Sequence, residues 1–368
     1  MPLALLYVFL AAAFLQALIW LLLFGRYAFR RAKEHGAGSV PVSVVVAARN
    51  ESENLLNNLP ALLEQDYPEF EVVVVDDCSW DDTGEVLRAF SSKYKHFRTA
   101  KVDETDKFFG GKKFAVTMGV KAAKHDIIVL TDADCRPASK LWLSRIAGHF
   151  TDGKEIVLGY GGYEPGKGIL NALVRFDAFM IALQYFSFTL SLRPYMGVGR
   201  NMAWRRELFF RNRGFASHSH LVSGDDDLFV NETAGRSNTA ICDSSEAHTI
   251  STPPASFAAW IKQKSRHLST WPRYRLYDKL MLGLLMLSPY FFILSFCALI
   301  ICSKYVYLIL IIFACRIFIQ MLIFIRAMKK LGCGGLAPFG FLLELLMLVL
   351  NPVFMISSAT NRRKRWTR

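Results

Sequence analysis

Four apolar runs of membrane-spanning length occupy the two ends of this 368-residue chain, leaving only the middle free to form a water-soluble domain. Leu3 to Phe24 carries no charge, and Leu280 to Cys302 and Tyr305 to Ile325 are parted only by Ser303-Lys304. Leu336 to Ser358 is the fourth run, interrupted by Glu344 and Asn351-Pro352. With 52% hydrophobic residues concentrated in this way, the expectation is an integral, multi-pass protein of an inner or plasma membrane. The first run is too long for a signal-peptide core, and no basic residue precedes it. The chain then divides into a spanning helix over 1–25, a soluble domain over 39–272, two or three spans within 280–358 and a basic tail over 359–368.

Charge orients these parts. Arg26, Arg30, Arg31 and Lys33 follow the first run, so the positive-inside rule places the soluble domain in the cytoplasm. Arg326, Lys329 and Lys330 after the third run want the same side. The tail Arg362-Arg363-Lys364-Arg365 agrees only if the fourth run turns back instead of crossing, with a break at Asn351-Pro352. Much of the net charge of +13 flanks the apolar runs, where it meets lipid headgroups, so no nucleic-acid partner is expected. Seven scattered cysteines form no CxxC pair, in keeping with free thiols.

Between the runs, short apolar stretches alternate with helix-like segments. Val42 to Val46 reads as a buried strand ending in Ala47-Ala48-Arg49-Asn50-Glu51, with a helix from about Glu53 to Gln65. Glu71 to Val75 is a second strand, ending in Asp76-Asp77-Cys78-Ser79, and a weaker one lies over 98–102. Gly110-Gly111-Lys112-Lys113 opens a helix to about Lys124, and Ile127 to Leu130 runs into Thr131-Asp132-Ala133-Asp134. This alternation predicts an α/β domain with a mainly parallel sheet covered by helices.

Parallel sheets bind ligands beyond the carboxyl ends of their strands, and three of these strands end in polar clusters. Asp132 and Asp134 stand two apart, and a hard divalent cation bridging phosphate oxygens would relieve their mutual repulsion. A helix cap after a core strand uses the same residues, so either origin fits this stretch taken singly. Asp76 and Asp77 offer acceptors to a base or ribose, and Lys112 offers a cation to a diphosphate at a helix start. The GxxxxGK[ST] spacing of a P-loop is absent.

In their order, Val45 to Glu51, Val74 to Ser79, Gly111-Lys112 and Thr131 to Asp134 resemble the family 2 nucleotide-sugar glycosyltransferases, of GT-A fold. The membrane arrangement is similar to the group of ceramide glucosyltransferases and cellulose, chitin and hyaluronan synthases. The likeness runs from about Val42 to Trp271. It implies that Ala48, Glu51, Asp77, Lys112, Asp132 and Asp134 bind the donor, with Asp132 and Asp134 holding Mg²⁺ or Mn²⁺.

Gly197 to Trp204 resembles the family's loop beside the sugar and diphosphate, and Ser223-Gly224-Asp225-Asp226-Asp227-Leu228 its Glu-Asp-x-Asp-Leu segment. Matching the terminal Asp-Leu makes Asp225 the general base, with Gly224 in place of Glu; a one-residue shift nominates Asp226. Gln263-Lys264-Ser265-Arg266-His267 resembles the Gln-x-x-Arg-Trp motif, with His267 replacing Trp. Gln263 and Arg266 are three apart, so they share a helix face, and the resemblance implies that it closes the acceptor and diphosphate side and binds the donor. Ile169 to Leu192 is apolar but contains Arg175, Asp177 and Gln184, which suits an interfacial helix or a buried packing helix better than a span.

The expected activity is inverting transfer of a sugar from a UDP- or GDP-sugar to a hydroxyl of a lipid or glycan acceptor at the membrane. A processive polysaccharide synthase and a sugar nucleotidyltransferase are the alternatives.

Overall fold

The computed structural model describes residues 2–31, 36, 38–103, 111–151 and 153–360, so Lys33, Gly110 and the basic tail lie outside the described residues. Helix α1 (Pro2–Leu18), a π-helical segment Ile19–Phe24 and α2 (Gly25–Ala28) follow head to tail. The middle of the chain then reads β1 (Val42–Ala48), α3 (Ser52–Leu63), β2 (Phe70–Asp77), α4 (Thr83–Lys93), β3 (Phe97–Val102), α5 (Lys112–Ala122) and β4 (Ile127–Asp132). After it come β5 (Cys135–Pro137), α6 (Trp142–Ala147), β6 (Ile156–Gly159), β7 (Gly161–Tyr163) and α7 (Ile169–Ser191). Next are β8 (Met202–Arg205), α8 (Arg206–Arg211), α9 (Asp227–Thr233), β9 (Thr239–Cys242) and β10 (Thr249–Ser251). The chain closes with α10 (Phe257–Leu268), α11 (Leu276–Cys302), α12 (Val306–Lys330) and α13 (Gly340–Thr360).

Seven strands form the central sheet in the order β3-β2-β1-β4-β8-β6-β9. The β1, β2, β3 and β4 ladders are parallel, as the alternation of strands and helices predicts, while β8 runs antiparallel between β4 and β6. Strand faces alternate. Val42, Val44, Val46 and Ala48 belong to a core with Leu55, Leu59, Val86 and Leu143, whereas Val45 and Ala47 join the core of Phe114, Val116, Phe179 and Phe186. The register sets Ala48 opposite Asp76 and Ala47 opposite Asp132, so the polar ends of β1, β2 and β4 line one edge. Strands β5, β10 and β7 form a small second sheet beside that edge.

Among the described residues, five helical stretches are long and apolar enough to cross a membrane: Leu3–Ala28, Ile169–Ser191, Leu276–Cys302, Val306–Lys330 and Gly334–Thr360. The second is α7, and 61% of its apolar window is buried; Tyr27 stacks on its Phe186, and Phe324 of α12 packs on its Phe176 and Phe179. It therefore sits as a packing helix between the sheet domain and the other long helices. Lys330 Nζ donates to the Tyr27 and Arg30 carbonyls at 2.9 and 2.6 Å, and Arg30 pairs with Asp243 at 2.7 Å. These contacts seat the sheet domain on the ends of α2 and α12.

The break expected at Asn351-Pro352 does not occur, because α13 continues through Pro352 to Thr360. Proline survives within apolar helices when neighbouring groups satisfy the freed backbone. The path of α13 is nevertheless not that of its neighbours. Gly340 lies against Phe324, six residues short of the end of α12, and Glu344 pairs with Arg316. At its other end Phe354 packs edge-on against Trp260, and Ser357 accepts from Ser265 at 2.7 Å, both partners on α10. The helix begins partway along α12 and comes back to the sheet domain.

Candidate active site

The edge defined by β1, β2 and β4 is where the charged groups converge. After β1 and β2 the chain turns through positive φ at Asn50 and Cys78, and the two loops are laced together. Asn50 N–H donates to Ser79 Oγ at 2.9 Å, Trp80 N–H to Asn50 Oδ1 at 3.0 Å, and Glu51 N–H to Thr83 Oγ1 at 2.9 Å. Ala48 and Asp77 are buried at these strand ends, and Glu51 receives the Asn54 amide at 2.5 Å. The nucleoside-side residues expected from the sequence thus share one rim.

Lys112, the first residue of α5, reaches into the middle of that edge. Its Nζ lies 2.5 Å from Asp132 Oδ1 and 3.1 Å from Asp225 Oδ2, joining the end of β4 to the segment before α9. Burial disfavours the ammonium, but Asp132, Asp225 and Asp226 outweigh it and hold its pKa well above the ordinary value. Lys113 is fully buried and donates to the carbonyls of His218 and Leu221 at 2.6 and 3.0 Å. Burial pulls it down to about 8 against the opposing pull of Asp225 and Asp227.

The three consecutive carboxylates have three different fates. Asp226 accepts from Gly199 N–H at 2.8 Å and caps α9 by accepting from Asp227 N–H at 2.7 Å. Burial, then Asp225 and Asp227, push its pKa up to about 7, against Lys112 and the Gly199 N–H. Asp227 accepts from Leu228 N–H at 2.8 Å, from Tyr274 OH at 2.7 Å and from the Thr270 hydroxyl. Asp225 is different: its buried Oδ2 pairs with the Lys112 ammonium at 3.1 Å and has no other partner among the described residues. Gly224, where a Glu stands in the resembling motif, has φ +108, and an added Cβ would lie 2.6 Å from Leu228 Cδ1. The backbone conformation before Asp225 admits no larger residue without movement.

Asp132 and Asp134 lie with Cys135 so that their ligand atoms fall within 4.8 Å of one another. Two carboxylates suit a hard cation such as Mg²⁺ or Mn²⁺. Cys135 does not: burial and the two aspartates push its thiol well above the ordinary value, which keeps it protonated.

On the far side, Gln263 hydrogen-bonds Tyr163 OH at 3.2 Å, and Arg200 lies over the Tyr163 ring at 4.3 Å. Burial disfavours Arg200's charge, yet Tyr163, Cys135, Asp134 and Asp132 keep its pKa raised. Arg266 and the exposed His267 occupy the last turn of the same helix, α10. Gln263 therefore reaches the carboxylate cluster through Tyr163 and Arg200. Reasoning from sequence passed over Arg200, Tyr163, Lys113 and Asp227. Of these, Lys113, Arg200 and Asp227 stood inside segments already singled out, and their charge was the available signal.

The Glycosyl transferase family 2 model matches residues 43–210, and the Glycosyl transferase family group 2 model matches residues 127–325. Glycosyltransferase AglE of Haloferax volcanii is 30% identical over 194 residues, which cover 50% of this chain and 58% of AglE. Poly-beta-1,6-N-acetyl-D-glucosamine synthase of Staphylococcus epidermidis is 30% identical over 93 residues, 25% of this chain and 21% of the synthase. This chain thus matches less than two thirds of either relative's length. Among solved structures, mannosyltransferase PcManGT from Pyrobaculum calidifontis, in complex with GDP-Man and Mn²⁺, superposes with a TM-score of 0.57. At 20% identity, covering 90% of this chain and 99% of PcManGT, that likeness establishes the shared fold.

Proposed function

The chain belongs to the family 2 glycosyltransferases, and on that premise we propose that it moves a sugar from a nucleotide-diphospho-sugar onto a hydroxyl of a membrane-associated, lipid-linked acceptor. One observation carries this reading: a buried carboxylate oxygen of Asp225 lies 3.1 Å from the Lys112 ammonium, which also binds Asp132 of the paired carboxylates, and has no other partner among the described residues.

Asp225 accepts the proton of the acceptor hydroxyl as that oxygen attacks the anomeric carbon. The bond from the anomeric carbon to the diphosphate oxygen breaks on the opposite face, so one displacement inverts the centre. Lys112, Arg200 and Arg266 offset the charge that gathers on the departing diphosphate. Asp77, Glu51 and Ala48 receive the nucleoside, and Gln263 closes the site from α10. Asp132 and Asp134 would hold Mg²⁺ or Mn²⁺, which supplies Lewis-acid stabilisation of the leaving group when bound. Asp226 is not the base in this scheme, since backbone N–H groups already occupy both of its oxygens. The GDP-Man and Mn²⁺ carried by PcManGT fit this reading of donor and cation.

The sheet domain lies in the cytoplasm in this scheme, and α13 enters and leaves the bilayer on that side. Supporting this are the contacts of Gly340 with Phe324 and of Ser357 with Ser265. The end of α13 then lies on the cytoplasmic side, the side that the positive-inside rule assigns to a basic tail.

The test is to incubate detergent-purified protein with Mn²⁺, membrane lipids and a panel of radiolabelled UDP- and GDP-sugars, beside Asp225→Asn. Label extracted into organic solvent with wild type alone is the expected result. Label in water-soluble polymer would replace this reading with a processive synthase. No donor turnover by folded protein with any donor and lipid would refute it.

A further inference from the structure

We propose that Asp227 is a positioning residue that seats Asp225 by fastening α9 to the segment leading into α11. This inference rests on the reading of Asp225 as the base. Among the described residues the Asp225 carboxylate has one charged neighbour, the Lys112 ammonium 3.1 Å from Oδ2, which it shares with Asp132, and the residue before it is Gly224 in a left-handed conformation. A carboxylate joined to glycine on one side must take its position from the other side, and that side is α9.

Helix α9 is tied down at both ends. At its first residue, Asp227 Oδ2 accepts from Tyr274 OH at 2.7 Å and from the Thr270 hydroxyl, while Oδ1 accepts from Leu228 N–H at 2.8 Å. One turn later, Asn231 Nδ2 donates to Asp278 Oδ2 at 2.9 Å, and Asn231 Oδ1 accepts from Arg275 N–H at 3.2 Å. The Arg275 guanidinium adds a bond to Glu232 O at 2.8 Å. Asp227 and Asn231 are nearly buried and Asp278 is fully buried. All the partners from Thr270 to Asp278 stand in the link between α10 and α11 or in the first turn of α11. That helix is of membrane-spanning length, and the motif helix α10 precedes the link.

Buried carboxylates and amides tolerate few alternative arrangements, because any shift leaves a polar group without a partner. The position of α9, and with it of Asp225, is therefore specified by Thr270, Tyr274 and Asp278. Asp227 is unsuited to be base or ligand, since both its oxygens are already engaged. The arrangement also transmits any displacement of α11 to the base.

The experiment uses the full chain in lipid nanodiscs with the donor and lipid acceptor found active above. Tyr274→Phe, Thr270→Val and the double variant leave the carboxylate of Asp227 in place but remove its donors; Asp227→Asn is run beside them. We measure kcat, donor KM, and binding of the nucleoside diphosphate with Mn²⁺ by calorimetry. Each single variant should lower kcat by about tenfold and the double by about a hundredfold, with donor KM and nucleotide binding unchanged within about twofold. If kcat of the double variant stays within about twofold of wild type, the clamp does not position the base. Loss of nucleotide binding in parallel with kcat across all variants would equally overturn it, in favour of a general structural role. Asp225→Asn separates the two readings. Full turnover there removes the base assignment and this proposal together, whereas lost turnover there with normal clamp variants removes the clamp alone.

Discussion

Two buried charge clusters in this protein differ in how completely their charged groups are paired. Among the long apolar helices, every guanidinium nitrogen of Arg316 has an acceptor: Gln16 Oε1, Gln320 Oε1 and both oxygens of Glu344 at 3.0 and 3.1 Å. Gln16 in turn donates to Ser288 at 2.6 Å and accepts from Trp20 Nε1, so the cluster joins α1, α11, α12 and α13. At the sheet edge, Lys112 is shared between Asp132 and Asp225, and the buried Asp225 Oδ2, 3.1 Å from Lys112 Nζ, has no further partner among the described residues. An ionisable group within an apolar helix is ordinarily read first as functional. Here the closed cluster is a fastening and the open one is the candidate site. Pairing of the charged groups separates them better than burial does, since Arg316, Glu344 and Asp225 are all buried. Both Glu344 oxygens take a guanidinium N–H, whereas Asp225 shares the Lys112 ammonium with Asp132. In the first cluster the neutral Gln320 Nε2 lacks a partner among the described residues.

The largest effect that would sharpen this contrast is at Asp225. Asp225→Asn should lower the rate of sugar transfer by about 10²–10⁴-fold while nucleoside diphosphate still binds by calorimetry. Near-normal turnover would move the role to another group. Chelation of divalent cations should likewise suppress transfer, and Asp134→Asn should raise the Mn²⁺ concentration needed to restore it, read from activity against free Mn²⁺.

In the closed cluster the expectation is stability without chemistry. Arg316→Met leaves Glu344 buried and unpaired and should cost about 3–5 kcal/mol, seen as a lower Tm in detergent. Arg316→Met combined with Glu344→Leu should recover most of that loss, and turnover per folded molecule should stay at the wild-type level. Lost transfer at unchanged Tm would break the comparison, because the cluster would then take part in the reaction.

A topological prediction follows from the same helix. A protease-cleavable tag appended to the C-terminus should be cut from the side that also exposes the sheet domain in sealed membrane vesicles. Protection of the tag under conditions that expose the sheet domain would mean that α13 crosses.

The smallest effect concerns Asp226, whose folded pKa of about 7 lies above the ordinary aspartate value of 3.8 because it is buried beside two carboxylates. Between these values the folded state holds a proton that the unfolded state has released, so stability falls as pH rises through the window. Asp226→Asn should flatten that fall in Tm between about pH 4 and pH 7, measured without added divalent cation. An unchanged slope would show that Asp226 ionises normally in the folded chain.

Much of this arrangement was legible from residue pattern alone. The strand expected over Glu71 to Val75 is β2, Phe70–Asp77, and the strand running into Asp132 ends there. Runs of buried β-branched residues need only local information to be recognised, and parallel pairing then brings their polar ends to one edge. The placing of Ala48, Asp77, Lys112 and Asp132 at that edge follows directly. Asp225 and Asp226 could not be told apart in this way, because their partners Lys112 and Gly199 are distant in sequence.

By itself, then, the sequence determined the apolar runs, the alternation that builds the sheet, and the edge at which the carboxylates gather. Each is encoded in neighbouring residues and their periodicity. Only the tertiary structure decided which of three adjacent aspartates pairs with Lys112 and takes no backbone N–H at that oxygen, that α13 returns to α10, and that Arg316 and Glu344 pair with one another. Those outcomes depend on hydrogen bonds between distant segments, and a buried polar group is defined by the partner that reaches it.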